Sequence, residues 1–173
     1  FVMFPLMCGL IAVAEDMFRV LLPEVWLLAV PYLRILSIAG LLAPLSVISF
    51  NLVKVCDDGN VIFRIEFLKK LIATAILAIT IPISVKAIAW GQVAIFVSDM
   101  TINCLTAKRY VGGWTLWGRA KDALPYLVVT ALMMAFIWGL GVAGVALTIP
   151  LWIVFVAKIL LGAGFYALLS ELL

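Results

Sequence analysis

Histidine is absent from all 173 residues. That removes Ser-His and Cys-His nucleophile pairs and every His-ligated metal site at once. Charge is scarce as well. Charged side chains make up 12% of the chain and hydrophobic ones 67%, against about 25% and about 45–50% in soluble domains. A soluble fold of this length has no interior large enough to hide so much apolar side chain, so lipid is the solvent. The net charge of +3 is too small to argue for nucleic acid as a partner. Cysteine is limited to Cys8, Cys56 and Cys104, with no CxxC pair. Cys8 and Cys104 fall within apolar runs and read as small buried hydrophobes. No cofactor and no metal is expected.

A basic n-region with a short apolar core and cleavage site is also lacking, so no signal peptide is read. The chain opens on Phe1 inside an apolar run and closes on LLSELL. A domain bounded by polar linkers would begin differently, and the expectation is a piece of a longer membrane protein.

What is present is a series of apolar runs. A membrane-spanning helix needs about 20 mostly apolar residues, and six stretches approach that: 1–14, 31–53, 68–86, 88–107, 124–141 and 147–169. The uncharged run from Ala123 to Ala157 is too long for one span and is expected to turn at GLGVAG (139–144), where glycines allow a tight hairpin. The expected fold class is an all-α bundle of about six transmembrane helices, forming one lobe over residues 1–173.

Lys and Arg alternate along the connections. Arg19 is alone in the first. Lys54, Arg64, Lys69 and Lys70 occupy the second, Lys86 the third, Lys108, Arg109, Arg119 and Lys121 the fourth, and the glycine hairpin has none. By the positive-inside rule the two rich connections are cytoplasmic, and so are both ends of the chain. Trp26, Trp90, Trp138 and Trp152 fall near predicted outer ends, as the aromatic belt expects.

The run from Lys54 to Lys70 then reads as a cytoplasmic turn. Asp58-Gly59 is a turn signal, Asn60 can cap the next helix, and Glu66 and Lys70 stand four apart on its surface. The run lacks the alternating ligands of a calcium loop.

Four polar residues lie inside predicted spans: Arg34, Asp99, Asn103 and Lys158. An ionised group there costs about 2.5–3.5 kcal/mol at the centre of the span. Gln92, Asp99, Asn103 and Thr106 share one helical face, and Arg34, Ser37 and Asn51 share a stripe in the second span. Such residues either line a site or hold a bundle together by interhelical hydrogen bonds. Asp99 and Lys158 each lie about 11 residues from a predicted outer end, roughly 16 Å deep, so they are expected to pair, with Arg34 nearer the outer surface.

Three stretches carry a resemblance: FNLVKVCDDGNVIFRIEFLKK (50–70), INCLTAKRYVGGW (102–114) and RAKDALP (119–125), the last followed at once by two apolar spans. In this order they resemble the C-terminal half of the polysaccharide-transporter branch of the multidrug/oligosaccharidyl-lipid/polysaccharide exporter superfamily, the lipopolysaccharide and O-antigen flippases. None of the three is a catalytic motif. The resemblance implies a non-enzymatic protein of twelve to fourteen spans in the bacterial inner membrane. It implies movement of an undecaprenyl-pyrophosphate-linked oligosaccharide between leaflets, and an N-terminal lobe as partner. Arg34 and Lys158 are then this chain's candidates for the anionic pyrophosphate. A cation-coupled drug antiporter of the same superfamily, using Asp99, is one alternative, and a structural membrane subunit is another. An intramembrane transferase would carry clustered aspartates, and here only Asp57 and Asp58 adjoin.

The orientation is testable. Single cysteines replacing Gly59 or Gly113, in full-length protein whose native cysteines are replaced, should resist an impermeant thiol reagent in intact cells. Strong labelling of either from outside would reverse the assignment.

Overall fold

The computed structural model describes residues 2–56, 59–111, 116–146 and 150–171. The chain is all-α. Among the described residues six long helices follow one another: α1 (Met3–Leu21), α2 (Val30–Cys56), α3 (Gly59–Thr80), α4 (Val85–Ala107), α5 (Leu116–Ala146) and α6 (Leu151–Glu171), with a short 3-10 helix at Glu24–Ala29. Among the described residues there is no strand.

Among the described residues four segments are long and apolar enough to cross a membrane: Glu24–Cys56, Val85–Ala107, Ala123–Val142 and Leu151–Glu171. Only 22% to 28% of each such stretch is buried. The outward surface is therefore apolar, a pattern that lipid accepts and water penalises. Trp26, Trp90, Trp138 and Trp152 are all exposed. The α1 and α3 helices stand outside this set. One carries Glu15, Asp16 and Arg19, the other Arg64, Glu66, Lys69 and Lys70. Six helices are thus observed where six spans were expected, and four of them meet the span criterion.

The chain divides into two compact units, one of Phe1–Ser37 with Ala123–Leu173, the other of Ile38–Asp122. In the first, α1 buries Phe4, Cys8, Val13, Ala14 and Phe18, and Ala14 and Phe18 pack with Val30. Helices α5 and α6 meet through stacked Phe136 and Phe165, 4.7 Å between ring centroids. In the second, Val53, Ile65 and Ala107 form the core. The turn between α3 and α4 ends at Ser84, whose hydroxyl accepts from the Ala87 N–H at 3.1 Å and starts α4. Lys69 is buried, with its ammonium 4.4 Å from the centroid of the Phe50 ring. The half-buried Glu66 was expected beside Lys70, and its carboxylate pairs with Lys69 at 2.5 Å.

Two sequence expectations need correction. The first apolar run does not stop at residue 14 but continues as helix to Leu21. Nor does the chain turn at GLGVAG. Helix α5 runs unbroken through Gly139, Gly141 and Gly144 to Ala146, and residues 147–149 lie outside the described residues. The Pro150 carbonyl accepts from the Ile153 and Val154 N–H groups at 3.0 and 3.3 Å, and α6 starts there. The glycines serve close packing instead. A Cβ on Gly144 would lie 2.6 Å from Val154 Cγ2, and one on Gly162 would lie 2.8 Å from Ile137 Cδ1. Where lipid removes the hydrophobic drive between helices, such small-residue contacts are what bring them together. Of the expected Asp58-Gly59 turn, Asp58 lies outside the described residues, while Gly59 begins α3 and Asn60 sits within its first turn.

Gly144→Ala should therefore destabilise the purified protein by about 1–3 kcal/mol through overpacking, seen as a lower Tm in detergent. Gly139→Ala, with nothing within 4 Å, should leave Tm unchanged. Equal Tm values for the two variants would remove the packing role.

Candidate functional site

Toward its C-terminal end α1 carries three charged residues, Glu15, Asp16 and Arg19. Asp16 and Lys158 of α6 form an ion pair, Nζ to Oδ2 2.5 Å, with side-chain exposures of 17% and 11%. These figures matter because a pair so sheltered is screened by salt and water far less than a surface pair. Lys158 lies in the apolar segment Leu151–Glu171, where an unpaired ammonium would be expensive. Helix α5 makes room for it. A Cβ on Gly141 would fall 2.9 Å from Lys158 Nζ and 3.1 Å from its Cε, so only glycine leaves the ammonium where it stands.

Around this pair lies a wetter group. Glu15 accepts from the Arg19 guanidinium at 2.7 Å and faces Arg34 at 3.5 Å. All three side chains are about half exposed, so the pairs themselves contribute little stability. Their value is positional. The five charged residues line one cavity of about 850 Å³, together with apolar side chains and Trp138. Three cations stand against two carboxylates, so the cavity carries a formal excess of one positive charge.

The sequence candidates divide between the units. Arg34 and Lys158 both line this cavity. Asp99 and Asn103 belong to the second unit. Lys158, expected to pair with Asp99, has Asp16 as its partner instead. The expectation ended the first span at residue 14 and so counted the carboxylates just beyond as loop. Asp99 is half-buried on α4. Asn103, 2% exposed, donates from Nδ2 to Ser46 Oγ at 2.8 Å and so joins α4 to α2. Its Oδ1 is buried and has no hydrogen-bond partner among the described residues. Ser37 and Thr106 donate to carbonyls of their own helices, at Leu33 and Ile102.

Glu15, Asp16 and Arg19 are the site residues that sequence reasoning missed. The available signal was the spacing of Phe4, Cys8, Ala14 and Phe18, which extends the apolar face of one helix beyond residue 14. Comparison with family models, curated proteins and solved structures finds no match to this chain.

Removing one member of the sheltered pair strands the other. Asp16→Leu or Lys158→Met alone should cost about 3–5 kcal/mol, and the double replacement should recover most of that loss. Arg19→Ala, on the exposed side, should change stability by less than about 1 kcal/mol. Tm in detergent and yield of folded protein report all four variants. A double variant whose loss equals the sum of the two single losses would show that the two residues act independently.

Proposed function

We propose that this chain is part of a membrane exporter that moves an undecaprenyl-pyrophosphate-linked oligosaccharide from the inner to the outer leaflet of a bacterial inner membrane. The observation that carries this reading is the cavity that, among the described residues, sets Arg19, Arg34 and Lys158 against Glu15 and Asp16. A pyrophosphate is a compact, multiply charged anion with many acceptor oxygens. Guanidinium groups suit it because they donate in a fixed fork and stay charged at every physiological pH. Arg19 and Arg34 are half exposed in the cavity, so they can change partners without first being desolvated.

Lys158 has a different part in the proposal. Its ammonium is held by Asp16 while the site is empty, and an incoming phosphate competes for it. The exchange replaces one anion by another, so no bare charge is left in the low-dielectric interior at any stage. Coupling of that exchange to alternate opening of the cavity is the usual route of repeat-built transporters, with the remaining lobe supplied by the rest of the full-length protein. No bond is made or broken, and the reading is of a transporter and not an enzyme.

A cation-coupled drug antiporter is the second reading, favoured by Asp99 within the span-like helix α4. The two differ in what the cavity must attract. In cells dependent on the full-length protein, Arg19→Ala/Arg34→Ala should reduce surface polysaccharide by about tenfold or more at unchanged protein level. Arg19→Lys/Arg34→Lys should restore part of it, since lysine keeps the charge without the fork. Normal surface polysaccharide in the alanine variant, with loss of cationic dye efflux in Asp99→Asn, would overturn the first reading for the second.

A further inference from the structure

Two basic connections that the transport reading leaves unused are brought to one end of the second unit. Val53, Ile65 and Ala107 pack into one core, so the residues beside them, Lys54, Arg64 and Lys108, arrive at that end from three different helices. All three are exposed, and so are Lys70 and Arg109. Lys69 is buried, with its ammonium 4.4 Å from the centroid of the Phe50 ring, and the Lys54 ammonium lies 4.6 Å from the same centroid. Glu66 is engaged with Lys69. Residues 54–70 and 108–122 hold eight of the twelve Lys and Arg in the chain. They hold four of the nine acidic residues, Asp57, Asp58, Glu66 and Asp122. Their net formal charge is therefore +4, while the remainder of the chain carries −1. The positive excess of the protein is all here.

Exposed apolar side chains stand among these cations. On α3, Phe63 and Phe67 are exposed and stack at 6.3 Å between ring centroids, and Val55 is exposed directly after Lys54. At the start of α5, Trp117 is exposed, with Lys121 Nζ 5.9 Å from its ring centroid. Helix ends account for Lys54, in the last turn of α2, and Lys108, the C-cap of α4, because cations there complement the dipole. They do not account for Arg64 and Lys70, which lie beyond the first turn of α3, nor for the exposed rings. We infer that this end of the second unit binds an anionic phospholipid, its phosphate met by Lys54, Arg64 and Lys108 and its acyl chains lying on Val55, Phe63 and Phe67. A partner that was only polyanionic would be met by cations alone. Cations beside exposed aromatic rings fit a molecule that is anionic at one end and hydrocarbon at the other. An anionic leaflet attracts each Lys or Arg near its surface, and aromatic side chains settle at the same level. The charged cavity is lined wholly by residues of the first unit, so this is a separate site and does not depend on the transport reading.

The test uses purified full-length protein in nanodiscs that mix phosphatidylglycerol and phosphatidylcholine with identical acyl chains. Native mass spectrometry then counts the lipids that stay on the protein. The wild-type protein should retain phosphatidylglycerol over phosphatidylcholine by about tenfold or more. Lys54→Gln/Arg64→Gln/Lys108→Gln should abolish that preference, and Lys86→Gln, at the opposite end of α4, should keep it. Should the triple variant accumulate poorly, salt serves in its place, because raised ionic strength screens exposed charges and should erase the wild-type preference. Equal retention of the two lipids by the wild type, or a preference that survives the triple replacement or high salt, would overturn the inference. Displacement of phosphatidylglycerol by free glycerol phosphate would overturn it too, and would assign the cations to a soluble phosphate. A photoreactive side chain placed at Val55 that cross-links in cells to another protein, with no lipid preference in nanodiscs, would give the surface to a protein partner.

Discussion

An ammonium group cannot remain charged in hydrocarbon without an anion beside it, and Lys158 is where this protein meets that constraint. Its position on α6 requires a carboxylate at the same depth on a neighbouring helix. Asp16 supplies it, which commits α1 and α6 to each other's company. The ammonium also needs space on its third side, and α5 provides this with Gly141. Three helices thus answer to one side chain. Replacing the pair by well-packed apolar residues would be close to neutral for such a unit, so stability alone does not account for the pair.

Around that centre, close contact between helices comes from what is left out. Gly141, Gly144 and Gly162 each lie where a side chain would strike a neighbour, and in the second unit Gly91 does the same against Thr80. In water, burial of leucine and valine would draw these helices together. In lipid that force is absent, and dispersion at short range has to suffice. The absence of a Cβ is the means by which backbones come near enough for it.

Much of the helical plan was legible from the residues. Charges are so rare here that Arg34, Asp99 and Lys158 stood out from apolar runs, and two of these line the charged cavity. Two things were hidden for identifiable reasons. Depth along a span can be counted from its ends, but neighbourhood cannot. Asp99 and Asp16 were equally plausible partners for Lys158 only if Asp16 lay inside a helix, and a span cut at residue 14 excluded it. The glycines of GLGVAG were ambiguous for a deeper reason. The missing side chain that permits a hairpin is the same one that permits close packing, and composition alone does not separate the two. Pro150, which does mark the start of α6, was the better punctuation.

Asn103 carries a different kind of information. An apolar helix surface is nearly featureless, so two such helices can slide or rotate past each other with small changes in energy. The bond from Asn103 to Ser46 has no equivalent a residue to either side, since Ile102 and Cys104 offer no amide and Leu45 and Val47 no hydroxyl. It acts as a register pin. What it gives to α4 and α2 is less a sum of energy than an address along each other's length.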